Sequence, residues 1–100
     1  MRSSNVVEII AVYDNLSEAF MQPTFVGNLA EGERLFTYQI NSIKLWKANA
    51  GDYDLYSLGT FDQETGFFTS EKHKMMNGRA VVKKGEEYDL QSAESSGTQI

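Results

Sequence analysis

No cysteine occurs in the chain, which excludes disulfides, a thiol nucleophile and thiolate metal sites, and fits a reducing compartment. Long apolar runs are also missing. Nothing approaches the ~20 residues that span a bilayer, and the N-terminal Met-Arg-Ser-Ser-Asn-Val-Val-Glu is interrupted by Glu8 before an export signal can build up. A soluble, unexported chain without membrane association is expected. Histidine occurs once, as His73 between Lys72 and Lys74. It stands alone between two cations and no acid stands at ligand spacing, so His73 reads as a surface residue and not a metal ligand. Phosphate-cradling glycine loops, nucleophile elbows and His-Glu zinc signatures are absent. The chain therefore reads as a non-enzymatic protein with no catalytic residue, no metal and no cofactor.

What is present suffices for one domain. One hundred residues with 41% hydrophobic content support a single modest core. The formal charge of −5 argues against generic coating of DNA, yet it is unevenly spread. Residues 1 to 71 carry four basic and ten acidic side chains, residues 72 to 84 carry Lys72, Lys74, Arg79, Lys83 and Lys84 with no acid, and the remainder carries four acids. A local basic patch thus survives on an acidic protein.

The stretch around which the chain is organised runs from Asp52 to Phe68, two aromatic-rich apolar runs flanking Asp62-Gln-Glu-Thr-Gly66. This is the pattern of a β-hairpin with a four- or five-residue loop, Gly66 supplying the positive φ. Strict alternation puts Tyr53, Leu55, Ser57, Gly59 and Phe61 on one face and Asp54, Tyr56, Leu58, Thr60 and Asp62 on the other. Before it, the β-branched run Asn5 to Tyr13 reads as a buried strand. Leu16 to Gln22 reads as a turn or a single helical turn ahead of Pro23, and Thr24-Phe25-Val26 as a short strand antiparallel to the first. Asn28 with Glu31 three residues on forms a capping-box arrangement. The helix it starts shows an apolar stripe of Leu29, Gly32, Phe36, Ile40 and Ile43, widened by Leu35; Gly32 within it marks either a close approach to a strand or a tolerated first-turn glycine. Leu45-Trp46 follow, then an Asn49-Ala50-Gly51 loop. Past the hairpin, Glu71 to Gly78 is polar around Met75-Met76, and Arg79 to Lys83 reads as a last short strand. The expected fold is α+β: a small antiparallel sheet of three to five strands, with a central β-hairpin, packed against one amphipathic helix. Residues 1–84 form the single domain, and 85–100 form a polar tail too poor in apolar side chains to order by itself.

Two sets of side chains can carry function. Asp52, Asp54, Asp62 and Glu64 can be drawn together as a carboxylate pair or cation site, but they lack the alternating pattern of a calcium loop, and solvated turn chemistry accounts for them better. The aromatics are the more informative set. Most of Tyr13, Phe20, Phe25, Trp46, Tyr53, Tyr56, Phe61, Phe67 and Phe68 are needed as packing. Those on the outer sheet face, Tyr56 with Trp46 and Phe68, can instead stack on bases of single-stranded nucleic acid while Lys72, Lys74, Arg79, Lys83 and Lys84 meet phosphates. A third use is a dimer interface covering an apolar sheet face.

The residues Val12-Tyr13-Asp14, Ala19-Phe20, Pro23, Phe25, Arg34, Phe36, Ile40-Asn41 and Lys47 match a known pattern. Above all, so does Asp52-Tyr-x-Leu-Tyr-x-Leu-Gly-x-Phe-Asp62 with Gly66. Over about residues 6 to 70 the chain resembles the small nonstructural protein of gokushovirus-type Microviridae, single-stranded DNA phages. Lys47-Ala-Asn-Ala-Gly-Asp52 departs from the Lys-x-Pro-Glu-Asp usual in that family, and the basic segment after residue 71 matches little of it. The resemblance implies a bacteriophage protein of the host cytoplasm, absent from the capsid, that assists viral DNA replication, through single-stranded DNA production or its delivery to packaging. Its partners would be single-stranded DNA or viral and host replication proteins. The rival expectation is a homodimeric module that binds a host or viral protein without touching DNA.

Overall fold

The hydrophobic pattern resolves into an α+β fold in the computed structural model of the chain, which describes residues 5–83; the 85–100 tail and Lys84 lie outside them. Five antiparallel strands form one sheet: β1 (Val6–Asp14), β2 (Ala19–Phe20), β3 (Thr24–Val26), β4 (Tyr53–Asp62) and β5 (Phe68–Asn77). The order is β2-β1-β4-β5, and β3 also pairs with β1, so β2 and β3 share in succession the edge of β1 that faces away from β4. Helix α1 (Leu29–Ser42) and the short α2 (Lys44–Ala48) connect β3 to β4 through a 3-10 turn at Ala50–Asp52, and a second 3-10 turn, Gly78–Ala80, follows β5.

The start of α1 is set locally. Asn28 Oδ1 accepts from the Glu31 backbone N–H at 2.9 Å, which satisfies a donor that the first helical turn leaves unpaired, and Glu31 Oε1 accepts from the N–H of Gly27, just ahead of the cap, at 2.7 Å. The buried face of α1 is Gly32, Phe36 and Ile40. These pack with Ile10, Val12, Tyr53, Leu55 and Ala50 to form the core. Phe36, Ile40 and Leu55 are essentially sealed from water, each worth about 1.5–3 kcal/mol of transfer free energy. Gly32 does mark a close approach: a Cβ there would sit 3.1 Å from Ile10 Cδ1. Ile43 departs from the expected stripe, because α1 ends at Ser42 and Ile43 takes an extended conformation, 40% exposed.

Of the two readings of Leu16 to Gln22 the turn holds: Asp14 closes it, its Oδ1 accepting from Leu16 N–H at 2.9 Å and its carbonyl from Glu18 N–H at 2.8 Å, and the chain returns as β2 beside β1, a strand that the sequence pattern does not announce. The polar run from Glu71 onward belongs to β5, whose backbone pairs with β4 whatever its side chains are. Arg79 to Lys83 is not a strand. Asn77 Oδ1 caps the Gly78–Ala80 turn at the Arg79 N–H (2.9 Å), and Asn41 of α1 then captures the chain, donating to Val81 O at 3.0 Å and accepting from Lys83 N–H at 2.7 Å. These helix-side partners supply the bonds that a strand would have sought from the sheet.

The hairpin loop forms as expected. Asp62 Oδ1 accepts from Glu64 and Thr65 N–H at 2.9 and 3.3 Å, and Gly66 has φ +81°.

Candidate functional site

One irregularity decides what the outer face of the sheet presents. Ile10 pairs with Ser57 and Ile9 with Gly59, so Leu58 has no opposite residue and β4 carries a bulge. Simple alternation would place Phe61 with Tyr53 and Leu55. The bulge reverses the alternation, and Phe61 shares the outer face with Tyr56, opposite Val7 of β1 and Phe68 of β5. Gly59 makes this possible at φ +131°.

Two aromatic groups result, both on the face away from α1. Tyr13, Phe20 and Tyr56 meet edge to face, with centroids 4.8, 5.1 and 6.1 Å apart. Phe25, Phe61 and Phe68 form the second group at 5.6 and 4.7 Å. Phe20 belongs to β2 yet touches Tyr56 of β4, so its ring lies across β1, and from the opposite edge Lys72 Nζ stands 5.6 Å from that ring. Beneath these rings Ile9 and Ala11 are buried. The rings still reach solvent, with Phe20, Phe25 and Phe68 at 40%, 54% and 63% exposed. Rings offered this openly can take on a flat apolar partner.

Lys74, paired across strands with Tyr56, lies beside a buried carboxylate. Asp54, only 3% exposed, accepts from Asn15 Nδ2 at 2.8 Å and Asn77 Nδ2 at 2.9 Å, with Lys74 Nζ at 3.6 Å. Burial alone would raise its pKa, but the two amide hydrogen bonds and the Lys74 ammonium together hold it below the ordinary aspartate value. A carboxyl whose folded pKa is depressed contributes stability in full above its unfolded value, about pH 4, and loses it as pH falls further. Asp54→Asn should therefore lower stability at pH 7 by about 1–3 kcal/mol, and the gap from the parent should shrink below pH 4. Urea titrations at pH 7 and pH 3 read this directly; an equal gap at both would refute it. On the opposite face, burial and the carboxylates of Asp14 and Asp52 push the Tyr53 phenol up.

The structure divides the residues singled out in the sequence. Tyr56, Lys72, Lys74 and Phe68 share the outer face, the two lysines beside the Tyr56 group and Phe68 in the second aromatic group. Trp46 does not join them: it stands on α2 and stacks on Tyr53 at 4.6 Å, on the helix side of the sheet. Arg79 and Lys83 leave the sheet after β5, one in the second 3-10 turn and the other bound to Asn41, and Lys84 lies outside the described residues. His73 is exposed, with Glu71 Oε2 2.9 Å from its Nε2. Asp62 serves the hairpin loop and Asp54 the buried network, and among the described residues no three of His, Asp and Glu converge as a metal site would require. No helix there is long and apolar enough to cross a membrane. Phe61 is the outer-face residue that alternation misplaced, and Gly59 inside a strand was the available signal; Tyr13, Phe20 and Phe25, read from the sequence as packing, join the same face from β1, β2 and β3.

The sequence model of the family described as Phage ORF5 protein matches residues 7–81. That span extends beyond the resemblance read from the sequence and takes in β5, Lys72, Lys74 and Arg79. Neither a curated protein nor a solved structure matches the chain.

Proposed function

Because the chain belongs to the phage ORF5 protein family, we propose that this phage protein is a non-enzymatic accessory of genome replication that holds single-stranded DNA on the outer face of its sheet. The observation that carries this reading is the pair of exposed aromatic groups on one face, one of them flanked by Lys72 over the Phe20 ring and by Lys74 opposite Tyr56. Such rings stack on bases of any sequence at about 1–3 kcal/mol per base, while cations follow the backbone. The likeness to Microviridae nonstructural proteins supports the replication role and a place in the host cytoplasm, where single-stranded genomes are made or passed to packaging. With Lys74 partly neutralised by Asp54, the phosphate contribution is small and stacking supplies most of the affinity.

Fluorescence anisotropy with labelled oligothymidylate across a salt series tests this. Two lysine contacts predict a slope of log affinity against log salt of about −1.4 for a single strand. Changing Lys72 and Lys74 together to Ala should bring the slope near zero, and Phe20→Ala or Tyr56→Ala should each weaken binding by about 1–3 kcal/mol. No binding at low salt, or binding indifferent to these changes, would eliminate the reading.

The net charge of −5 favours a second reading, in which the same aromatic face is covered by a second copy and the homodimer binds a viral or host protein. Rings of this kind are enriched in such interfaces. Light scattering that finds a dimer, disrupted by Phe25→Asp and indifferent to oligonucleotide, would select it.

A further inference from the structure

At the end of the sheet opposite the Asp62–Gly66 loop, the two 3-10 turns meet α2 around an open cleft of about 430 Å³, a size in the range of small-molecule sites. Lys47, in the last turn of α2, Arg79 and Asp52 all line it. The placement of Arg79 is built into the backbone. A Cβ on Gly51 would lie 2.8–3.1 Å from the Arg79 Nε, Nη2 and Cζ, and a Cβ on Gly78 would lie 2.2 Å from Ala50 O, so the guanidinium packs against a backbone that only glycines leave open. Asn77 ties the arrangement together, with its Oδ1 accepting from Arg79 N–H at 2.9 Å and its Nδ2 donating to Gly51 O at 3.0 Å. Among the described residues the basic side chains within 4 Å of a carboxylate are His73, beside Glu71, and Lys74, beside Asp54, so neither Lys47 nor Arg79 is neutralised by a carboxylate within pairing distance.

We propose that this cleft is a binding site for a phosphate group, with the Arg79 guanidinium and the Lys47 ammonium as its ligands. A positioned guanidinium offers a fork of donors matched to two phosphate oxygens, and a neighbouring lysine adds a point charge. Asp52 sets the strength of the site: its carboxylate leaves the cleft with one net positive charge and opposes the bound anion. The site stands without the nucleic-acid reading above, which bears only on where the phosphate comes from.

The test is a titration of the whole protein with inorganic phosphate at constant ionic strength, following backbone amide NMR shifts. Saturable shifts at Gly51, Asp52 and Arg79 are expected. They should vanish in Arg79→Gln and weaken about tenfold in Lys47→Gln, the loss of one charge-assisted contact. In Asp52→Asn they should tighten several-fold, a gain that a purely structural role for Asp52 does not produce and that keeps the test decisive if Arg79→Gln folds poorly. Shifts that rise linearly without saturating, or that are unchanged in both Arg79→Gln and Asp52→Asn, overturn the site. Parallel titrations with thymidine monophosphate and with oligothymidylate identify the source, a free nucleotide or a strand. Phosphate binding here without oligonucleotide binding at the sheet upholds this site while removing the proposed function, and the converse result does the reverse.

Discussion

Gly59→Ala is expected to destabilise the domain by about 4 kcal/mol or more, a large part of the roughly 5–15 kcal/mol that holds a small domain folded. Two costs coincide. The residue occupies φ +131°, a conformation that L side chains avoid at about 1–3 kcal/mol. An added methyl would also stand 1.9 Å from Thr69 O, less than any non-bonded contact allows. Relief requires β5 to move away from β4, which breaks their ladder where Gly59 pairs with Ser70. Because the same bulge turns Phe61 to the outer face beside Phe25 and Phe68, any folded remainder should also lose that aromatic group. Urea unfolding followed by fluorescence of Trp46, which is stacked on Tyr53, measures the first effect; a midpoint close to that of the parent would contradict it.

Phe36→Ala should cost about 3–5 kcal/mol. Phe36 is 1% exposed and sits at the centre of the contact between α1 and the inner sheet face, among Ile10, Val12, Ile40 and Leu55. Truncation removes its transfer free energy and leaves a cavity that a helix tied at Asn28 and at Asn41 closes poorly. The comparison that gives this meaning is Phe68→Ala. Phe68 is 63% exposed, and its loss should cost under about 1 kcal/mol. Equal destabilisation by the two substitutions, measured by thermal melts in one buffer, would mean that the outer face is packing like the inner one and is not a surface kept for a partner.

The elements with strong local signals were legible in the residues. Val6–Asp14 has too many β-branched side chains to be anything but a strand, Asn28 and Glu31 announce the helix start, and Asp62 to Gly66 carries turn chemistry that needs no distant partner. Trp46 was misplaced because α2 is only five residues long, too short for periodicity to reveal a face. The segment from Arg79 to Lys83 was misread because what holds it is Asn41, some forty residues earlier, and no local pattern encodes that distance.

By itself, then, the order of residues determined the α+β class, the helix with its buried stripe, and the hairpin with its turn, since each follows from the period of hydrophobicity and from which backbone angles a residue tolerates. Tertiary structure alone decided which aromatics share a surface and which cations accompany them. A single unpaired residue, Leu58, reverses the alternation along β4, and whether a strand takes that extra residue depends on its neighbours β1 and β5 as much as on its own sequence.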